Sequence, residues 1–271
     1  MKKQILLMTA AVLTITSCSK DESTEVNNGQ AIDFRVAMET RATETTTANI
    51  TNFLVTAINA GNSNFFTDQA FTKTGSYFTS NPAYYWPNDG SNLSFFAYSP
   101  SATDLGATIS ITSASKTMTN FSPAAAIASQ KDFITASATG SKANESTGVA
   151  LTFAHRLAQI EIKAKNANQG YVYKVQGVRI GQPISQATFN FGTSAWTLGT
   201  TKSNYEVTYT SAKTLNATAA SIMATDGNNA MLIPQQLTAW NAAGDKPNAN
   251  KGAYIAVKVN ITTTSGARVY P

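Results

Sequence analysis

Short runs of alternating apolar and polar residues, each closed by a cluster of Asn, Asp, Gly, Ser or Pro, recur along this chain and leave room for little except β-structure. Side chains alternate faces along a strand, so a half-buried strand reads as period two. Residues 32–38 (IDFRVAM) do so cleanly, with Ile32, Phe34, Val36 and Met38 on one parity. Further runs follow at 53–58, 83–86, 93–98, 108–112 and 131–135, separated by turn clusters such as NAGNSN at 59–64 and PNDGSN at 87–92. No helical window exceeds two turns, and the best, 123–130, is alanine-rich but short.

Residues 136–148 (ASATGSKANESTG) have almost no apolar bulk, so the domain boundary is placed there. Val149, Leu151 and Phe153 then share one parity while Ile160 and Ile162 take the other, which predicts a bulge near 157–159. Tyr171, Tyr173 and Val175 give way to Val178 and Ile180 in the same manner, with Gly177 at the switch. Strands are expected at 188–191, 205–210, 230–233 and 254–261, the last carrying Ile255, Val257, Val259 and Ile261 on one face. Regular short strands with frequent turns predict an all-β chain of two β-sandwiches in tandem, 31–146 and 147–271.

The start of the chain is of another kind. Lys2 and Lys3 precede an apolar run over residues 5–15, and Ile15-Thr16-Ser17-Cys18 follows as a small-residue cleavage site. The run falls short of the about 20 apolar residues that span a bilayer. Residues 1–17 therefore read as a signal peptide, and Ile15 to Cys18 resembles the lipobox of bacterial lipoproteins, whose cysteine is lipidated. An anchor of three acyl chains at Cys18 would be essentially permanent, since each buried CH₂ contributes about 0.8 kcal/mol. Residues 18–30 are polar and aperiodic, a lipidated flexible tether. Ser19-Lys20-Asp21-Glu22 is similar to the export signal that carries lipoproteins to the outer face in Bacteroidetes-type bacteria. With Cys18, the single cysteine, lipidated, no disulfide is expected.

Little here suits catalysis. Charged residues make up 13% of the chain, about half the usual share, and the carboxylates are scattered. The net charge of +5 drops by two when Lys2 and Lys3 leave, and no basic stripe exists, so nucleic acid is not an expected partner. His155, the single histidine, matches the parity of Val149, Leu151 and Phe153 and reads as a core residue with bonded nitrogens. No G-x-S-x-G elbow, calcium loop or glycine-rich phosphate loop occurs, and Asp89-Gly90 and Asp226-Gly227 read as turns. The chain is expected to be no enzyme and to need no cofactor or metal. The alternative binding surface is aromatic. Tyr84, Tyr85 and Trp86, with Phe95, Phe96 and Tyr98 behind them, offer a glycan-stacking platform for a lipid-anchored lectin-like module, although aromatics at alternating strand positions read first as core.

Several segments together resemble the fimbrillin family, pilin-like subunits of type V pili and their relatives in Bacteroidetes. They are the lipobox, the first strand ending in Thr40-Arg41-Ala42, the run Tyr84-Tyr85-Trp86-Pro87, residues 93–98 (LSFFAY), 151–158 (LTFAHRLA) and 231–235 (MLIPQ). The resemblance runs from Cys18 to nearly the end. It implies two transthyretin-like β-sandwich domains and an outer-membrane, cell-surface lipoprotein that ends in a fimbrium. It also implies that an arginine-specific protease cuts the Arg41-Ala42 bond. The strand carrying Ile32, Phe34, Val36 and Met38 is then displaced, and a strand from another fimbrial subunit takes its place. Residues 40–49 (TRATETTTAN) are the kind of polar loop a protease needs. In stalk subunits of the family a C-terminal strand is the donor. Here a strand is only starting at Arg268-Val269-Tyr270-Pro271, so the expectation is a subunit that accepts a strand without supplying one. The partners so implied are other subunits, the membrane through the anchor, and the protease.

Overall fold

Phe34, Phe53, Phe71, Phe95 and Phe153 converge on one point, all fully buried, and the first sheet wraps round them. The computed structural model describes residues 29–38, 45–223, 229–241 and 252–269. In chain order the strands are β1 (Phe34–Met38), β2 (Asn52–Asn59), β3 (Asn64–Thr74), β4 (Tyr77–Ser80), β5 (Leu93–Ser99), β6 (Thr108–Ile111), β7 (Lys116–Phe121), β8 (Ile134–Gly140) and β9 (Val149–His155). Then come β10 (Ala158–Ile160), β11 (Lys163–Ala164), β12 (Tyr171–Ile184), β13 (Ala187–Asn190), β14 (Ala195–Leu198), β15 (Lys202–Thr214), β16 (Ala220–Ser221), β17 (Ala230–Leu232) and β18 (Tyr254–Thr263). One short helix, α1 (Ala102–Leu105), is capped by Ser101 and stopped by Gly106.

Seven strands close a barrel in the order β1-β4-β3-β2-β5-β8-β9. Closure is made by β1, which runs parallel to β9 while every other pairing in the barrel is antiparallel. β2 and β5 are apolar on both faces. Leu93, Phe95 and Ala97 point into the barrel, whereas Tyr98 and Phe96 join a second core with Phe121, Phe133 and Phe189. That second core lies against the four-stranded sheet β14-β13-β7-β6. A third core is built on the three-stranded sheet β15-β12-β18 and covered by the small sheets β10-β17 and β11-β16.

The all-β class expected from the pattern is what the chain adopts. Gly177 marks a register shift against both neighbours of β12, as its parity switch predicts. A Cβ there would sit 2.8 Å from the carbonyl oxygen of Val207, so the bulge requires glycine. Other expectations need correction. The boundary drawn between residues 146 and 147 falls between β8 and β9, which are neighbours in the barrel, and β7 pairs with β13 from the other half. Residues 136–140, read as linker, are strand. At Gly140 the small size has a packing cause: a Cβ there would meet Val149 and Trp86 at 2.9 and 3.0 Å. The change of parity at 157–159 is no bulge, because the chain leaves the barrel after His155 and enters another sheet at Ala158. Residues 83–86 form no strand, only an isolated bridge between Tyr85 and Ala31. Within 123–130 there is a single 3-10 turn, Ile127–Ser129.

Candidate functional site

The first strand is held very unequally on its two sides. Along β9 it pairs over its whole length, from Phe34 opposite Val149 to Met38 opposite Phe153. Toward β4 it pairs at one position, Phe34 opposite Phe78. Just upstream, Ile32 N–H donates to the Tyr84 carbonyl at 2.7 Å, and Val149 N–H donates to the Asp33 carbonyl at 3.0 Å. The rest of its attachment is side-chain burial.

That burial is concentrated at the start of the strand. Ile32 and Phe34 are 1% and 0% exposed. The Phe34 ring stands edge-on to Phe71 at 4.7 Å and to Phe95 at 5.1 Å, and also meets Phe53 at 6.0 Å. Val36 and Met38 are only partly buried against the same cluster. Each fully buried apolar side chain contributes about 1.5–3 kcal/mol, so Ile32 and Phe34 together hold the strand about as strongly as the ladder along β9, whose bonds are worth about 0.5–1.5 kcal/mol each. Taking β1 away would open a slot between β4 and β9, with aromatic rings at its floor and unpaired main-chain groups on both walls.

One group opposes the strand's seating. Asp33 Oδ1 is shut off from solvent and accepts no hydrogen bond. Burial raises its pKa, an effect the nearby Arg35 charge only partly offsets. Beside it, Gly148 has φ +67°, and a Cβ there would lie 2.6 Å from Asp33 Oδ1 and 3.1 Å from the Tyr77 ring. The turn leading into β9 can therefore pass β1 only as glycine. Neither Asp33 nor Gly148 stood out in the sequence. The signal for Gly148 was its place immediately before an apolar alternation.

Of the expected site residues, Phe34, Val36 and Met38 share the inner face of β1, and Ile32 just before it packs into the same core. Cys18, Arg41 and Ala42 lie outside the described residues. The aromatic platform is corrected. Trp86 is 3% exposed, with its ring edge-on to Phe95 at 5.9 Å, and Tyr84 packs on Phe66 at 4.6 Å. Only Tyr85 is exposed, so no stacking surface forms. His155 is a buried side chain whose Nδ1 pairs with Asp132 at 2.8 Å, but its Nε2 has no partner. Among the described residues, no three His, Cys, Asp or Glu side chains gather to hold a metal.

A β-barrel closed by its own first strand and backed by further sheets is the setting in which the comparisons with known proteins fall. The fimbrillin-like family profile matches residues 40–268, and the chain belongs to that family. Among curated relatives, the chain is similar to fimbrium subunit Fim1C of Phocaeicola vulgatus, 32% identical over 118 residues. That stretch spans 37% of this chain and 31% of the relative, less than a third of its length. A fimbrial protein from Bacteroides vulgatus has a similar fold, with a TM-score of 0.64 at 19% identity over 89% of this chain and 86% of that one.

Proposed function

We propose that this chain is a structural, adhesive fimbrial subunit of the cell surface and not an enzyme. In this reading it assembles by strand exchange at the seat of β1. It reaches the outer membrane as a lipoprotein anchored through Cys18, and an arginine-specific protease cuts between Arg41 and Ala42. The cut separates β1 and the lipid anchor from the body in one step. A strand from another fimbrial subunit then enters the slot between β4 and β9. Membership of the fimbrillin-like family supports the class of function. The observation that carries the mechanism is the unequal attachment of β1, a full ladder on one side and a single pairing on the other. An incoming strand regains the main-chain bonds and refills the places of Ile32 and Phe34, as strand addition does elsewhere. Until then, β1 keeps an adhesive edge covered.

The test is to treat the exported protein with an arginine-specific protease and run it unboiled on a denaturing gel. Ladders of oligomers are expected, and an Arg41→Ala chain should stay a single band. An Arg41→Ala chain that assembles as well as the parent would remove the cleavage step. The glycan-binding alternative is not favoured, because Trp86 is buried.

A further inference from the structure

Of the aspartates among the described residues, Asp33 is the one left with a buried oxygen that nothing serves. Asp68 accepts from the Tyr98 hydroxyl at 3.0 Å and from Thr56 at 3.2 Å. Asp89 accepts from the Ser91 N–H, Asp104 accepts from the Ser101 hydroxyl, and Asp132 pairs with His155. The exception falls on the segment that strand exchange would discard.

The surroundings explain why no donor is offered. Ile32 and Phe34 face the core, so Asp33 between them turns the other way, toward the turn at 141–148. That turn commits its amides to itself. Ser141 N–H donates to Asn144 Oδ1, Ala143 N–H to Ser141 Oγ, and Gly148 N–H to the Asn144 carbonyl. The next amide, Val149 N–H, donates to the main-chain carbonyl of Asp33 and leaves the carboxylate without a donor. Gly148 and the Tyr77 ring close the remaining space. In the same turn Glu145 Oε1 is also buried and unbonded, so this is a poor host for a further negative charge. Arg35 is exposed, and its charge offsets only part of the burial cost. A carboxylate buried without a hydrogen bond costs more than a neutral group of the same shape.

We infer that Asp33 makes β1 a weak occupant of its own slot, and that the segment replacing it carries apolar residues at the places of Ile32 and Phe34 with an uncharged residue between them. This rests on the strand-exchange reading and adds to it the chemistry of the partner. The two apolar places are defined by what fills them now, both side chains being fully buried. The place between them is defined by what it fails to provide. A strand with a neutral residue there keeps the same main-chain bonds and the same apolar contacts while avoiding the unpaired charge. Exchange then has a direction, because the outgoing strand is the poorer fit.

The experiment presents the cut protein, starting at Ala42, with dye-labelled peptides of residues 29–38 at pH 7 and reads binding by fluorescence anisotropy. The peptide carrying Asp33→Asn should bind at least about tenfold more tightly than the parent peptide, as removal of a buried unpaired charge requires. A peptide carrying Arg35→Gln, which loses a charge at an exposed position of the same strand, should bind no more tightly than the parent. Equal binding by the parent and asparagine peptides overturns the inference and leaves strand exchange standing. Entry of no peptide overturns strand exchange and the inference with it. The uncut chain gives a second readout that needs no exchange: Asp33→Asn should slow amide exchange over residues 32–38 at least about tenfold, with β5 unchanged. An asparagine chain whose first strand opens as readily as the parent's also overturns the inference.

Discussion

β1 closes a barrel and β18 ends a three-stranded sheet; both carry an apolar inner row, and the molecule treats the two rows oppositely. β1 drives Ile32 and Phe34 into an aromatic centre and closes a barrel, whereas β18 leaves Ile255, Val257 and Val259 in solvent. The contrast shows that alternation alone does not decide burial. What decides it is whether a second layer and a neighbouring strand are present to receive the row. In the barrel both are supplied by the chain itself. At β18, among the described residues, the covering sheets stop one strand short.

The comparison is broken most severely at Phe34. Phe34→Ala empties the centre of the aromatic cluster and should destabilise the barrel by about 3–5 kcal/mol, measured by denaturant unfolding. Gly148→Ala comes next. It forces a side chain into the left-handed region and against Asp33, and should cost about 1–3 kcal/mol in the same assay. Its effect should be felt in β1, with faster amide exchange over residues 32–38 than in β5.

Asp33→Asn should act in the other direction, and its effect depends on pH. The folded carboxyl holds its proton more tightly than the unfolded one. Stability is therefore undiminished below the unfolded value of about 3.9, falls as pH rises through the raised folded value, and stays lowered above it. The asparagine variant should match the parent at pH 3 and melt above it at pH 7. Equal melting at both values would mean that the Asp33 carboxylate imposes no cost on the first strand. The smallest effect belongs to β18. Val259→Ala should change the stability of the monomer by no more than about 0.5 kcal/mol, which sharpens the contrast with Phe34.

Much of this was legible in the sequence where strand and burial coincide. Ile32 and Phe34 could be read from period two, as could β5 and the bulge at Gly177. β3 was missed because Phe66 and Phe71, both buried, fall on opposite parities. A register shift lies between them, and Asp68 takes φ +47° there. β8 was missed because its residues are small, and small residues look like linker unless one knows that Trp86 and Val149 press on Gly140. The partners of β1 were not legible at all. Alternation says which side faces inward but not which strand lies beside it, and β9 is more than 100 residues away in sequence. For the same reason the boundary at 146/147 went astray. A run poor in apolar bulk can connect two strands of one barrel as readily as two domains. The exposure of β18 was hidden by its own pattern, which is that of a covered strand.

Strand exchange requires β1 to be a replaceable stave of the barrel, and native mass spectrometry of protein cut between Arg41 and Ala42 tests this most directly. The prediction is that the body beginning at Ala42 loses the segment carrying Ile32 and Phe34 and appears bound to a further subunit. A cut protein that keeps that segment and remains a single subunit would contradict it.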